Sequence, residues 1–456
     1  MPTPRTSRED IVVTGVSCRF AESPDPAAFW RNILQRRALF TPLGQEGKAA
    51  AAAERERPGV FDRPFPSHAA QLNDLYAYDA GDQHLQRSVT TGENQDVFFM
   101  VQLVIDALRD NGYTIGSLPT DRVSLRLGYV PQFNAASVNW LQHTLFVDQT
   151  LEVIRKFFPH ADPGQLDGVR AQLASSLPKP SPYAFMSAFN CAMAAWIAHL
   201  LGLAGPATVQ EAGSVSAYQA VQPPLNLPML QGLSGVVMFS RAAALQPFSR
   251  ESDGTLPGEG GALFVLKRLK DALRQNDRIY AIIRSTGIVA ASLEHHWKTP
   301  LAPDRMRRAI MRALRKAALA PDSIAYVEAH GGGTPHIDQT ELNVMQELFG
   351  ECTAPYPLVG IGAVKGNVGN TLWSAGAASL LKAVLAVYHR VLPPNVEIEK
   401  PYLRLASAKS PLYLLGEARP WVCGRTSAPR RAGVMTVDFT GTSGTAVLEE
   451  HRGGEA

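Results

Sequence analysis

The sequence is short of cysteine, of surplus charge and of long apolar runs, and each shortage argues against a class of protein. Its 456 residues include four widely spaced cysteines and no CxxC pair, so neither a zinc site nor a disulfide framework is indicated. Lys and Arg number 44 against 41 Asp and Glu, which gives no reason to expect a nucleic acid or an anionic membrane as partner. The most apolar segment, Ala188–Ala204, is shorter than a membrane-spanning helix needs, and the N-terminal apolar run is too short for a signal peptide. We therefore expect a cytoplasmic protein.

Strand-like and helix-like segments alternate along the chain, which predicts an α/β architecture. The predicted strands are Ile11–Gly15, Val123–Val130, Ala207–Val209, Val236–Phe239, Ala262–Leu266 and Ile279–Thr286, the last ending before Gly287. The main predicted helices are Pro26–Arg36, Gln95–Asn111, Leu151–Phe158, Gly164–Leu177, Arg305–Ala318 and Ser374–Tyr388. A strand, a glycine-rich turn and a strand are expected over Gly433–Glu450. No polar linker interrupts this pattern, so we expect one compact unit.

Two segments carry most of the chemical information. Tyr326–Glu341, YVEAHGGGTPHIDQTE, reads as a short strand that runs into a histidine and three glycines. Val364–Thr371, VKGNVGNT, reads as a second strand that runs into a glycine-rich loop. Such loops bring side chains to the carboxyl edge of an α/β sheet, where these folds hold their ligands, and glycine lets the backbone approach a ligand closely.

These two segments belong to a set of five that occur in a fixed order. The set is IVVTGVSCRFAESPDPAAFW, PFSRESDGTLPGEGGALFVLKRLKDAL, VEAHGGGTPHIDQTE, VKGNVGNTLWSAGAASLLKAVLAVYHRVLPPN and VDFTGTSGTAVLEE. Together they resemble the β-ketoacyl synthases of the polyketide type. The resemblance implies a thiolase-like α/β fold with two similar βαβαβαββ halves in five layers, here residues 1–270 and 271–456. It also implies a homodimer that works with an acyl carrier protein.

The catalytic set departs from the family at two of its three positions. The family nucleophile is a cysteine a set distance after Gly-Pro, and counting from Gly205-Pro206 places Ser214 there. The first family histidine is kept as His330, whereas the second is replaced by Asn370. The resemblance therefore turns a Cys-His-His triad into Ser-His-Asn.

Residues around this triad also follow the family in part. Lys365 is kept as a supporting residue, and Phe439 stands at the gatekeeping position of the closing turn. Gly332 replaces the first threonine of the family's His-Gly-Thr-Gly-Thr motif. We expect the remaining threonines of the site to line the tunnel for the carrier's pantetheine: Thr334, Thr440 and Thr442.

A Ser-His-Asn set suits one half of the family reaction better than the other. Acyl transfer needs a thiolate, which a cysteine supplies readily and a serine does not. Decarboxylation of a malonyl thioester needs only donors aimed at the oxygen where charge develops, and a neutral histidine and an asparagine amide are both donors. Chalcone-synthase-like enzymes of the same fold use such a His-Asn pair. The pattern resembles the serine-containing homologues of polyketide β-branching cassettes, which convert malonyl-carrier protein to acetyl-carrier protein.

Two other functions stay open at this point. One is a serine acyltransferase or thioesterase in which His330 deprotonates Ser214. The other is a non-catalytic partner resembling the chain-length factors, although those usually lose the histidine that is kept here. No metal and no cofactor bound by this chain are expected, since phosphopantetheine is carried by the partner acyl carrier protein.

Three further motifs have weaker interpretations. The HGGG run is similar to the oxyanion loop of lipase-like hydrolases, but the segment Leu372–Gly376 lacks the first glycine of the required nucleophile elbow. His295-His296 is a candidate metal pair without a carboxylate at ligand spacing. Gly258–Gly261 precedes a strand rather than following one, so it is not a dinucleotide-binding loop.

Overall fold

An eight-stranded mixed sheet forms the centre of the larger of two compact units in the computed structural model. The structure describes residues 7, 9–43, 67–72, 95–114, 117–128, 142–177, 179, 190–210, 215–216, 242–290, 303–352, 354, 357–407, 409–422, 428–438 and 441–453. The strands are β1 Ile11–Phe20, β2 Thr41–Pro42, β3 His68–Ala69, β4 Leu125–Gly128, β5 Ala207–Gln210, β6 Gly260–Arg268, β7 Ala281–Val289, β8 Tyr326–Glu328, β9 Val359–Gly362, β10 Val391–Leu392, β11 Leu412–Leu414, β12 Arg419–Pro420, β13 Arg431–Val437 and β14 Ser443–Glu449. The α/β prediction is confirmed.

The central sheet has the strand order β11-β9-β8-β13-β14-β7-β1-β6. The first four strands are mutually parallel, and the other neighbouring pairs are antiparallel. Glu328, the last residue of β8, lies opposite Gly362 of β9 and Val434 of β13. The carboxyl ends of three parallel strands therefore meet at one edge.

Helices alternate with the strands along the chain. They are α1 Pro26–Leu34, α2 Gln95–Asp110, α3 Val147–Phe157, α4 Pro163–Ser176, α5 Asn190–Leu200, α6 Leu269–Arg274, α7 Pro303–Lys316, α8 Pro335–Phe349, α9 Lys365–Val368 and α10 Ala375–His389. Helix α10 is buried at every position from Ala375 to Val387 and packs against β13, β14 and β6. Such all-round burial explains its nearly uninterrupted apolar sequence. Within the described ranges, no helix is both long and apolar enough to cross a membrane.

The chain divides into two compact units, which corrects the expectation of one. The larger unit comprises Met1–Asn73, Leu103–Thr114 and Gln210–Ala456, and the smaller comprises Asp74–Gln102 and Ile115–Val209. In the smaller unit, helices α3 and α4 share a core of their own, formed by Val147, Leu151 and Leu166. This separate apolar core allows a second unit without a polar linker.

The predicted end of the strand Ile279–Thr286 is wrong. Strand β7 continues through Gly287 to Val289. A Cβ atom at Gly287 would overlap the carbonyl oxygen of Ala309 on α7. The glycine therefore serves the close packing of α7 on the sheet and does not end the strand. The predicted strand Val236–Phe239 lies outside the described residues.

Gly362, at the end of β9, allows a test of this packing. A Cβ atom there would overlap the Tyr326 hydroxyl and the Glu328 carboxylate, and both of these side chains are fully buried. We expect Gly362→Ala to lower the free energy of unfolding by about 1–3 kcal/mol or more, because an overpacked core must shift. Gly416→Ala is the matched control, since no atom lies within 4 Å of its Cβ position. Equal denaturant midpoints for the two variants would contradict the close contact between Gly362 and the Tyr326 side chain.

Candidate active site

The candidate site lies where the parallel strands β8, β9 and β13 end. His330 follows β8 by two residues, and Lys365 follows β9 by three. Val437 is the last residue of β13. His330 and Lys365 are almost fully buried, at 6% and 1% exposure. The strand register thus brings together side chains that are far apart in the sequence.

Two donors converge on one nitrogen of the His330 ring. The backbone N–H of Val437 donates to His330 Nδ1 at 3.2 Å. Lys365 Nζ lies 3.3 Å from the same Nδ1 and donates to the His330 carbonyl oxygen at 2.6 Å. A backbone N–H can only donate, so Nδ1 must be the unprotonated nitrogen of a neutral ring. The ring proton is therefore on Nε2.

Burial keeps the His330 ring neutral. It lowers the pKa of His330 well below its usual value of 6.5, and the nearby Lys365 ammonium lowers this pKa further. Burial also lowers the pKa of Lys365, although Glu341, Glu328 and Asp338 oppose that shift. The site therefore presents a neutral histidine whose Nε2–H is a donor.

Two carboxylates on α8 hold the glycine loop that follows His330. Glu341 accepts hydrogen bonds from the backbone N–H groups of His330, at 2.7 Å, and Gly331, at 3.0 Å. Asp338 accepts from the N–H groups of Gly333, at 3.2 Å, and Phe248, at 2.8 Å. Burial raises the pKa of Asp338 to about 7, although these N–H groups oppose the shift. The loop is thus fixed through its backbone N–H groups and not through the His330 ring.

Asn370 stands in a loop that is also fixed through its backbone. Its N–H donates to Leu256 O at 2.7 Å, and its carbonyl accepts from Gly258 N at 3.1 Å. Its side-chain Oδ1 accepts from the backbone N–H of Leu372 at 3.2 Å. Helix α10 begins at Ala375, so Asn370 is not the cap of that helix. With Oδ1 engaged in its own turn, the amide N–H₂ is the group that remains for a ligand.

This arrangement can be compared with known proteins. The sequence matches the family described as "Beta-ketoacyl synthase, N-terminal domain" over residues 8–227 and "Beta-ketoacyl synthase, C-terminal domain" over residues 280–399. The chain belongs to the β-ketoacyl synthase family. His330, Lys365 and Asn370 lie within the second of these matches, and Ser214 lies within the first.

Curated relatives of this ketosynthase-family chain are polyketide synthases. It is 28% identical to the non-reducing polyketide synthase dpmpA of Macrophomina phaseolina, over 91% of this chain and 18% of the relative. It is 33% identical to the polyketide synthase PksL of Bacillus subtilis, over 57% of this chain and 6% of the relative. The chain spans less than a quarter of the length of the curated relatives it matches.

Solved structures show the same fold. A ketosynthase from module 6 of the bacillaene synthase of Bacillus subtilis 168 aligns with a TM-score of 0.71 and 23% identity, covering 97% of this chain and 72% of the other. Ketosynthase twelve from the bacillaene synthase of Bacillus amyloliquefaciens aligns with a TM-score of 0.73 and 19% identity, covering 98% of this chain and 76% of the other. The thiolase-like fold predicted from the sequence is confirmed. The division into halves at residue 270 stays a prediction.

The other predicted site residues fall into two groups. Thr334 is half-buried at the start of α8, and Thr442 is buried in the closing turn, where its N–H donates to Asp438 Oδ1 at 2.8 Å. The remaining three lie outside the described residues: Ser214, Phe439 and Thr440. Val215 and Ser216, which follow Ser214 directly, are fully buried in the larger unit.

The sequence interpretation missed the carboxylates that hold the glycine loop. Asp338 and Glu341 stand in the quoted segment HIDQTE, three residues apart on helix α8, which follows the glycines. An i, i+3 spacing places both on one helix face, which is the signal that could have identified them. Across the described ranges, no cluster of His, Cys, Asp and Glu could hold a metal ion. The candidate pair His295-His296 lies outside those ranges.

The assignment of the His330 proton leads to a spectroscopic prediction. We expect ¹⁵N spectra of histidine-labelled protein to show, for His330, a protonated Nε2 and an unprotonated Nδ1 between about pH 6 and pH 8. A pKa below 6.5 means that the neutral form persists as the pH falls through 6.5. The His330→Gln variant identifies the His330 signal, because that signal is missing from its spectrum. A midpoint near 6.5, or a proton on Nδ1, would contradict the assignment.

Proposed function

We propose that this chain decarboxylates malonyl-acyl carrier protein to acetyl-acyl carrier protein without forming a carbon–carbon bond. The observation that supports this most directly is the convergence of two donors on His330 Nδ1. It leaves Nε2 protonated, so the ring offers a hydrogen bond rather than accepting a proton. A donor is what the decarboxylation of a thioester requires.

The proposed decarboxylation step needs no nucleophile from the protein. The bond between the carboxylate carbon and C2 breaks, and its electron pair forms an enolate whose negative charge rests on the thioester oxygen. His330 Nε2–H and the Asn370 amide N–H₂ donate to that oxygen. Carbon dioxide leaves, and a solvent proton added at C2 gives the acetyl thioester.

The same geometry disfavours acyl transfer by Ser214. To deprotonate a serine, His330 would need an unprotonated Nε2, and that tautomer puts a proton on Nδ1. Such a proton would face the Val437 N–H at 3.2 Å and the Lys365 ammonium at 3.3 Å. Because no lone pair would remain to accept them, the serine mechanism requires this environment to rearrange.

The family and the relatives support the proposed substrate class. Because the curated relatives are polyketide synthases, we place the reaction in polyketide biosynthesis. The malonyl group arrives as a thioester on the phosphopantetheine of an acyl carrier protein, so the chain itself needs no bound cofactor. Thr334, Thr440 and Thr442 are the proposed pantetheine contacts, Phe439 is the proposed gate, and the chain acts as a homodimer.

Substitution of Asn370 tests the paired donors. Asn370→Asp keeps the Oδ1 that accepts from Leu372 but replaces the amide donor with an acceptor. We expect the conversion of malonyl-carrier protein to fall by at least about a hundredfold in kcat, the usual cost of losing one such donor. The KM for the carrier should change little. Intact mass spectrometry of the carrier measures the rate through the loss of carbon dioxide.

Two comparisons make this test decisive. Ser214→Ala should keep most of the activity, because the enolate route forms no acyl-enzyme. His330→Ala should fall about as far as Asn370→Asp, and the double variant less than additively, because both groups serve one oxygen. An active Asn370→Asp together with an inactive Ser214→Ala would favour the acyltransferase. A wild-type protein that leaves malonyl-carrier protein unchanged would refute the decarboxylase.

A further inference from the structure

The larger unit contains a buried ion pair that the proposed chemistry does not use. Glu328 Oε2 lies 3.1 Å from Lys382 Nζ, and both side chains have no solvent exposure. Lys382 is the one charged residue in the buried stretch Ala375–Val387 of α10. A buried ion pair is weak evidence for stability, since apolar residues of similar volume often stabilise a fold equally well. Stability alone therefore does not account for charges at these positions.

Glu328 touches both ends of the segment that carries Asn370. Its Oε1 accepts from the backbone N–H of Val364 at 2.6 Å, just before Lys365. Its Oε2 contacts Lys382, which lies on α10 beyond the Asn370 loop. The Tyr326 hydroxyl also donates to Oε2 and orients the carboxylate. The Glu328 carboxylate thus contacts the segment Val364–Lys382 both before and after the loop that carries Asn370.

The same carboxylate stands on the strand that carries His330. Glu328 is the last residue of β8, and His330 follows two residues later. The next strand is fixed beside it, because the N–H of Ala329 donates to Gly362 O at 2.8 Å. A displacement of Glu328 would therefore move the His330 loop relative to the Asn370 loop.

We propose that Glu328 and Lys382 are positioning residues that set the spacing between the His330 and Asn370 donors. Neither residue touches the substrate. The Val364 N–H and Lys382 Nζ link the segment that carries Asn370 to Glu328. Glu328 is itself part of the strand that leads to His330. Two donors to one oxygen need such a fixed spacing, because a misplacement of about 1 Å costs roughly a hundredfold in rate. This inference rests on the proposed decarboxylation.

The test compares two buried ion pairs of the same unit. The double variant E328Q/K382M removes both charges together and keeps an oxygen for Val364 N–H. The control is E449Q/R431M, which removes the buried pair between Arg431 Nε and Glu449 Oε2, at 2.6 Å. Arg431 is the first residue of β13, so this pair lies at the end of the strand away from Val437 and the site. Thermal melting establishes folding for both, and kcat and KM are measured with malonyl-carrier protein.

We expect the control to keep wild-type kcat and E328Q/K382M to lose roughly ten- to a hundredfold in kcat at unchanged KM. A purely structural role would lower the melting temperature and leave the kcat of the folded variant unchanged.

The single variant Glu328→Gln covers the case in which the double variant fails to fold. It keeps the contact of Oε1 with Val364 and changes the contacts that Oε2 makes with Lys382 and Tyr326, so we expect a smaller kcat loss. Equal kcat values for wild type, Glu328→Gln and any folded double variant would overturn the positioning role. A wild-type protein without decarboxylase activity would refute the proposed function instead. In that case the ¹⁵N signal of His330, which should shift in Glu328→Gln, still tests the link between the pair and the site.

Discussion

The chemistry of this site depends on one hydrogen bond, from the backbone N–H of Val437 to His330 Nδ1. That bond exists because β13 runs parallel to β8, so that the end of one strand lies beside the loop that follows the other. A backbone donor cannot change its role as a titrating side chain can. It therefore fixes the His330 proton on Nε2, and the ring acts as a donor. The proposed decarboxylation follows from that orientation.

Burial determines how the charged groups around His330 behave. Lys365, Glu341 and Asp338 are all buried beside the histidine. Burial raises the pKa of the two carboxyl groups and lowers that of the lysine, so it favours the neutral form of each. Their backbone hydrogen bonds and ion contacts offset part of that cost and fix the loops. In so dry a site a preorganised donor is worth far more than in water. The Glu328–Lys382 pair extends the same arrangement to the loop of Asn370.

Sequence reasoning predicted the fold class and the family, because glycines, histidine and lysine occur in motifs of fixed order. It could not predict that Gly287 lies inside a strand, since the reason for that glycine is the approach of Ala309 on a distant helix. The second compact unit was also missed, because its core of Val147, Leu151 and Leu166 needs no polar linker. The roles of Asp338 and Glu341 depend on which backbone N–H groups they meet. Those partners are set by the tertiary structure.

The most direct test of the account is the turnover of malonyl-acyl carrier protein in deuterium oxide, followed by intact mass spectrometry of both proteins. If His330 and Asn370 stabilise an enolate that takes its proton from solvent, the acetyl-carrier product will contain a single deuterium from the decarboxylation step. After the labile hydrogens are exchanged back in water, the chain itself will carry no acyl adduct at any time point. An acyl group found on Ser214 during turnover, or a carrier that keeps its malonyl group, would contradict the account.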